Sequence, residues 1–234
     1  MKRIALLAAG VALTVLVAVQ VSTEPGMGSS RVVAEADTPT VAVGADILAG
    51  VPEIPSRVRG HDYRRDAFGE SWDDDNDAPG GRNGCDTRND ILDRDLIEKS
   101  YVSIKRCPTA VATGTLVDPY TNETIAFVRG NQIGAAVQID HIVPLALAWD
   151  LGARNWPEDL RLRFANDPAN LIAVAGGANQ DKGDSEPAAW MPPNRAFWCQ
   201  YAVQFAEVLR GYRLPVDTSS ARVLREAAGT CPTG

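Results

Sequence analysis

Apolar runs separated by polar turns dominate the second half of the chain and predict short strands and helices. Ile139–Leu145 contains an Asp-His pair between β-branched residues and closes with a proline, which is typical of a short strand that ends in a turn. Leu171–Val174 is a second apolar run after an Asp-Pro turn. The glycine pair and polar residues at 176–184 then predict a loop and the start of a helix. The order strand, loop, strand, helix is the centre of the predicted fold.

The rest of the chain predicts several further helices. Arg88–Ser100 is predicted to be helical with Thr87 as its cap, because its apolar residues fall roughly on one face, namely Ile91, Leu92, Leu96 and Ile97. The residues at 187–190 predict a short turn or helix. Helical spacing of apolar residues also predicts helices at 145–151, 158–164, 195–209 and 218–228.

One hairpin is predicted ahead of the central strand. The strands 113–117 and 124–129 flank a polar turn at 118–123, the pattern of a β-hairpin. Its natural partner is the strand 136–142, which carries the Asp-His pair. Strands and helices that are not in regular alternation indicate the α+β class.

The N-terminus combines a basic start with an apolar run. Met1-Lys2-Arg3 precedes the apolar stretch 4–21, the pattern of a secretory signal peptide, although a stretch of about 18 residues nearly spans a bilayer. We expect a signal peptide or membrane anchor within 1–36, a linker at 37–56 and one domain at 57–234. If the segment is a signal peptide, the domain is predicted to be secreted. If it is a membrane anchor, the domain is predicted to lie on the outer face of the membrane.

Four cysteines lie in the predicted exported part. An even number outside the cytoplasm indicates two disulfides with three pairings open. Proximity in sequence favours Cys85 with Cys107 and Cys199 with Cys231. A zinc site is the weaker alternative, because no Cys-x-x-Cys pair is present and His61 is the only histidine besides His141.

The polar residues of the central segment fit phosphodiester hydrolysis. A neutral His141 can take a proton from water, which makes it the candidate general base. Asp140 and the Asn179 carbonyl are oxygen donors suited to Mg²⁺, with Mn²⁺ or Ca²⁺ as alternatives. Neighbouring residues on a strand point to opposite faces, so Asp140 and His141 share a site only where the strand ends or bends. The purely structural alternative is that Asp140 caps a turn and that the His141 ring is buried with its hydrogen bonds satisfied.

Three further polar residues are site candidates. Asn170 is suited to tie the loop to the strand or orient the imidazole, and a scaffold role is favoured over direct participation. Lys182, three residues after Asn179, would either meet a phosphate or lie on a solvated helix surface. Arg88 would either bind a substrate phosphate or form a surface ion pair.

An acidic stretch at 70–77 is a weaker metal candidate. An EF-hand loop starting at Asp73 would need a turn glycine where Ala78 stands and a glutamate where Gly84 stands. We therefore interpret the stretch as a solvated surface loop, with incidental calcium binding as the minor alternative.

These residues resemble a known family. Asp140-His141, Asn170, Asn179 and Lys182 match the pattern of the HNH (ββα-metal) endonucleases, in which Asn often replaces the last His. More specifically, residues 60–214 resemble secreted actinobacterial HNH proteins related to the C-terminal domain of GmrSD-type restriction endonucleases. The resemblance implies His141 as general base, Asp140 and Asn179 as metal ligands and Asn170 as the structural Asn. It extends to Cys85–Asp90, Asp118–Thr121, Phe164–Pro168 and Trp190–Asn194.

Overall charge argues against tight nucleic-acid binding. The chain has a net charge of −7, whereas phosphate contacts usually require a basic face. A metal ion supplies local positive charge, and four arginines near the motif in sequence add to it. We expect weak, salt-sensitive binding with little sequence preference. The arginines are Arg154, Arg161, Arg163 and Arg195.

The leading hypothesis is a secreted, metal-dependent endonuclease acting on DNA, with RNA as a further substrate and no obligate protein partner. NTP-dependent restriction is not expected, because the nucleotide-using part of GmrSD enzymes is not evident. A non-catalytic envelope binding module with the same fold is the second hypothesis, although it does not require Asp140, His141 and Asn179 to be intact together. The third is a nuclease toxin, which would require an immunity partner.

Overall fold

The structure, a computed structural model, describes residues 38–130 and 136–233. The signal peptide or anchor predicted within 1–36 lies outside the described residues. Within the described ranges, no helix is both long and apolar enough to cross a membrane.

The strands of the described residues form three small sheets. One pair is parallel, β1 with β7, and the other two sheets are antiparallel, in the orders β2-β3-β4 and β5-β6. The mixture of helices and mainly antiparallel strands confirms the predicted α+β class. The strands are β1 (Glu53–Ile54), β2 (Ile97–Ile104), β3 (Cys107–Val117), β4 (Thr124–Val128), β5 (Val137–His141), β6 (Leu171–Ala175) and β7 (Val216–Asp217).

Helices connect and cover these sheets. Four predicted helices are confirmed, two of them with identical bounds, and the predicted helix start after the second strand is also helical. Short 3₁₀ turns are also present, and they include Arg65–Phe68, Pro168–Asn170 and Arg195–Phe197. The α-helices are α1 (Thr87–Asp95), α2 (Leu145–Leu151), α3 (Glu158–Asn166), α4 (Gly176–Lys182), α5 (Trp198–Gly211) and α6 (Thr218–Ala228).

The helix predicted from Arg88 to Ser100 is wrong in its second half. Asp86, rather than Thr87, caps α1 by accepting a hydrogen bond from the Asn89 amide. The helix ends at Asp95, and Ile97, expected on its apolar face, is 46% exposed in β2. Residues 97–104 are rich in β-branched and aromatic side chains, and their pairing with β3 outweighs the helical pattern.

The predicted hairpin is confirmed, but its predicted partner is wrong. β3 and β4 pair across the turn, whereas β5 pairs with β6 and not with the hairpin. At the hairpin turn, Asp118 Oδ1 accepts a hydrogen bond from the Ala175 amide of β6 at 3.0 Å. This hydrogen bond and apolar packing connect the hairpin to the β5–β6 pair, in place of the expected strand ladder.

The β5–β6 pair lies between two apolar cores. Ile139 and Ala173 pack into one core with α1 and the β3–β4 hairpin. Ile172 and Val174 pack into the larger core, which includes α2, α5 and α6. Because successive side chains of a strand point to opposite faces, both faces of this pair are buried and its position is rigidly defined.

Both favoured disulfides are present. Cys85 pairs with Cys107, and Cys199 pairs with Cys231. The first joins the start of α1 to β3, and the second joins α5 to the C-terminal segment. No free cysteine is present among the described residues.

The predicted linker at 37–56 is largely part of the folded domain. Leu48 is 2% exposed and packs in the larger core, and β1 pairs with β7. Arg225 forms ion pairs with Asp46 and Glu53, which fasten this segment to α6. The glycine and proline residues of this segment indicate turns. Its apolar residues contact parts of the chain that are distant in sequence, and a short stretch of sequence does not show such contacts.

Candidate active site

A cleft at the end of β5 brings the principal predicted residues together. Asp140, His141 and Asn179 all line one cavity of about 380 Å³. Asp140 and His141 are the last two residues of β5, as expected for neighbours that share a site. Asn179 comes from α4, which follows β6 directly. We call β5, β6 and α4 the inner wall of this cleft.

Asp140 is buried and held on one oxygen. Its Oδ2 accepts hydrogen bonds from the Tyr120 hydroxyl at 2.5 Å and the Lys182 ammonium at 2.6 Å. Its Oδ1 has no hydrogen-bond partner in the described part of the chain. This oxygen is not completely buried, so it retains contact with solvent. The carboxylate therefore presents one oxygen to the cleft and keeps the other for its own fixation.

Lys182 differs from both of its predicted roles. The side chain is fully buried, and its ammonium donates to Asp140 and to the His141 carbonyl at 2.7 Å. Burial lowers the pKa of Lys182, and the neighbouring Asp140 carboxylate opposes that shift. The prediction that Lys182 lies on a solvated helix surface is wrong. The prediction of a direct phosphate contact receives no support, because the amine is fully buried. Lys182 instead compensates the charge of Asp140.

His141 is held as a neutral ring in a defined tautomer. Burial lowers the pKa of His141 to about 3, with the Arg65 and Lys182 charges acting in the same direction. Its Nε2 lies 2.9 Å from the Ala165 carbonyl oxygen. Because a carbonyl only accepts, Nε2 carries the proton and Nδ1 keeps its lone pair. Nδ1 has no hydrogen-bond partner among the described residues, so it is available as a proton acceptor.

Trp72 covers the imidazole and was not predicted. Its ring stacks on His141 with centroids 5.8 Å apart and an interplanar angle of 10°. Its backbone has φ +62°, a strained conformation for a bulky residue, and its carbonyl accepts a hydrogen bond from the Thr87 amide. The only sequence signal was a lone tryptophan between polar residues, which does not identify its partner.

Asn170 is bonded to the backbone of the turn after His141. It is completely buried, and its side chain bonds both the amide and the carbonyl of Val143, at 2.8 and 3.2 Å. Its own carbonyl accepts from the Ile142 amide. These bonds fix the turn that follows His141, and none of them involves the imidazole.

Asn179 is oriented by β5. Its Nδ2 donates to Gln138 Oε1 at 2.8 Å, which leaves the amide oxygen as an acceptor. The oxygen donors available for a cation are thus Asp140 Oδ1 and Asn179 Oδ1. Among residues 38–130 and 136–233, no group of three or more His, Cys, Asp or Glu side chains is arranged to hold a metal ion. If an ion binds at these two oxygen donors, a hard cation that keeps most of its water ligands is the kind that they would suit.

Arg88 is not brought to the cleft. Its guanidinium donates to the Val137 carbonyl at 3.0 Å, and burial lowers its pKa. The cavities around His141 are lined by a different arginine, Arg65, which sequence reasoning missed. Arg88 thus joins α1 to β5, and its predicted substrate contact has no support from its position.

Comparison with known proteins identifies relatives of the chain. Residues 86–226 match the family model described as the C-terminal domain of GmrSD restriction endonucleases. An uncharacterized secreted protein of Arthroderma benhamiae is 36% identical over 149 residues, which cover 63% of this chain and 68% of that protein. No solved structure matches the chain. The match spans β5, β6 and α4 with the residues of the inner wall, and the chain belongs to the family of GmrSD restriction endonuclease C-terminal domains.

Proposed function

We propose that this chain is a secreted HNH endonuclease that requires a divalent metal ion and hydrolyses phosphodiester bonds in nucleic acid, DNA above all. The observation that carries the proposal is the shared cavity of Asp140, His141 and Asn179. Membership of a restriction-endonuclease domain family indicates a nuclease-related role. The antiparallel β5–β6 pair followed by α4 supports a ββα-metal site in particular.

His141 is the general base of the proposed reaction. Its unprotonated Nδ1 takes the proton of the attacking water, while the Ala165 carbonyl holds Nε2–H in place. A pKa of about 3 makes the ring a weak base in the free protein. A phosphodiester in the cavity raises that pKa, because a nearby negative charge favours the protonated ring.

The metal would be held by Asp140 and Asn179. A Mg²⁺ ion bound there would neutralise negative charge on the scissile phosphate. Lys182 already balances the charge of Asp140, so the site carries little net negative charge for a cation. We therefore expect the ion to bind weakly alone and more tightly together with an anionic substrate.

Export is supported by two independent observations. Both disulfides need an oxidising compartment to persist, and the Arthroderma benhamiae relative is described as secreted. The expected absence of sequence preference follows from the contacts available, since phosphate contacts carry no base information. The processing of residues 1–36 as a signal peptide or anchor is part of this proposal.

Plasmid cleavage tests the proposal directly. Purified protein is expected to nick or linearise plasmid with Mg²⁺ or Mn²⁺ and to lose that activity in EDTA. His141→Ala is expected to reduce the rate by roughly 10²–10⁴-fold, the range for a general base, and His61→Ala serves as the matched control. Equal rates for the His141→Ala variant and the unmutated protein would contradict the role of His141, and cleavage in EDTA would contradict the metal requirement.

A further inference from the structure

A segment that precedes the family match forms the opposite side of the cleft. Residues 63–72, the outer wall, lie ahead of the matched range 86–226. Tyr63 and Arg65 line the 380 Å³ cavity with Asp140. Arg65 and Trp72 line a second cavity, of about 20 Å³, to which His141 also contributes. The cleft is therefore incomplete without residues outside the matched domain.

The outer wall is fastened to the domain. Phe68 is 1% exposed in the larger core, and the Ala67 carbonyl accepts a hydrogen bond from Arg161 Nε at 2.7 Å. Gly69 has φ +87°, and a Cβ at this position would approach Leu162 Cδ1 to 2.6 Å. Arg65 thus extends from an anchored turn and has a defined place beside the cleft.

Arg65 has no acidic partner. Within the described residues it forms no salt bridge, whereas the adjacent Arg64 lies 3.8 Å from Asp66. Arg65 also lines both cavities around His141. An exposed guanidinium without a carboxylate partner is free to bind an anion.

The other cations near the cleft are already engaged. Lys182 pairs with Asp140, and Arg154 pairs with Asp150. Arg57 binds Asp150, Asp184 and Glu186, which also removes Asp184 as a competing charge on the cavity wall. Among the described residues that line the 380 Å³ cavity, Arg65 is the only cation.

We propose that Arg65 binds a backbone phosphate of the nucleic-acid strand in the 380 Å³ cavity that Asp140 and Asn179 also line. The inference rests on the proposed nuclease function and deepens it, because it assigns substrate binding to the outer wall. In a chain of net charge −7, one unpaired cation beside the reaction centre accounts for much of the local attraction for a phosphodiester. The contact is independent of sequence, because it involves only the backbone.

Binding and cleavage by matched variants test this assignment. Arg65→Gln is compared with Arg65→Lys and with the control Arg64→Gln, in the full chain with Mg²⁺. Binding of a short fluorescent duplex is measured by anisotropy over a salt series, with His141→Ala added to prevent turnover. Steady-state cleavage is measured with His141 intact.

The expected result is a loss specific to Arg65. Arg65→Gln should weaken binding and raise KM by roughly 10-fold with a smaller change in kcat, and reduce the slope of log K against log salt by about 1. Arg65→Lys should restore part of the affinity, and Arg64→Gln should change it by less than about 2-fold, because Arg64 lines neither cavity.

Two outcomes would overturn the inference, and they are distinguishable. If the unmutated protein cleaves DNA and Arg65→Gln matches Arg64→Gln in KM and salt slope, the phosphate contact is wrong and the nuclease function stands. If the unmutated protein neither binds nor cleaves nucleic acid, the proposed function and this inference fail together.

Discussion

The two walls of the cleft are built on opposite principles. On the inner wall, Asp140 is 5% exposed, Lys182 is fully buried, and each forms more than one hydrogen bond. On the outer wall, Arg65 is exposed and has no ion-pair partner among the described residues. The inner wall fixes its polar groups before a substrate arrives, whereas the outer wall keeps a charge accessible.

This difference follows from the tasks proposed for the two walls. A general base and metal ligands must be held in a set geometry, and groups that are hydrogen-bonded through one atom and keep another atom available satisfy that requirement at a cost in desolvation. A phosphate contact needs an accessible cation, because a fully paired arginine has no capacity left for an anion. Trp72 joins the two walls, since it belongs to the outer wall and stacks on His141.

The largest effect is expected from breaking the charge compensation of the inner wall. Lys182→Met leaves the buried Asp140 carboxylate without its ammonium partner, and loss of one member of a buried pair costs about 3–5 kcal/mol. Urea unfolding measures the change. The control Lys105→Met removes an exposed lysine from the β2–β3 turn and should alter stability by about 0.5 kcal/mol or less. Equal unfolding midpoints for the two variants would refute the compensating role.

Acid is expected to have the next largest effect, through His141. Burial lowers the pKa of His141 from an ordinary 6.5 to about 3, so the unfolded chain binds a proton in this interval and the folded protein does not. The neutral His141 ring contributes fully to the free energy of unfolding above about pH 6.5. This contribution is lost as the pH falls towards 3, by up to about 1.4 kcal/mol per pH unit.

Urea unfolding from about pH 6 to about pH 4 measures this loss. Over that range, the free energy of unfolding should fall by about 2–3 kcal/mol less in His141→Gln than in the unmutated protein. Carboxylates elsewhere affect both proteins equally. Identical pH dependence in the two proteins would show that the ring is not kept neutral by burial.

A smaller effect tests the link between the walls. Trp72→Ala uncovers one face of the His141 ring, and the resulting hydration should raise the pKa of His141 by roughly one unit, equivalent to about 1.4 kcal/mol. NMR titration of the imidazole in a His61→Ala background isolates the signal, since the chain has two histidines. Trp198→Ala, which removes a ring stacked on Arg195, is the control. An unchanged titration would assign the burial of His141 to residues other than Trp72.

Local sequence predicted the inner wall well because its signals are local. The Asp-His pair at the end of β5, the turn before β6 and the glycine pair that begins α4 each act within a few residues. The bounds of α2 and α6 followed from helical periodicity, and the disulfide pairing followed from proximity. Pattern arguments succeed at such positions because the backbone and the neighbouring side chains favour the same structure.

Predictions that depended on distant partners were wrong or incomplete. The helix ending at Asp95 and the pairing of β5 with β6 depend on which strand offers a ladder, and periodicity carries no such information. Lys182 was expected either to meet a phosphate or to lie on a solvated helix surface, whereas its ammonium is buried and binds Asp140.

The sequence by itself determined the chemical groups offered: an imidazole, two oxygen donors and an asparagine at a strand-strand-helix junction, with cysteines that brace the domain. Only the tertiary structure decided which of these groups meet and in what charge state. Tyr120, Trp72 and Arg65 lie 20 or more residues from the groups that they contact or face, and such approach depends on how the cores close. Hydrogen bonding and burial act through space, so separation along the chain conceals them.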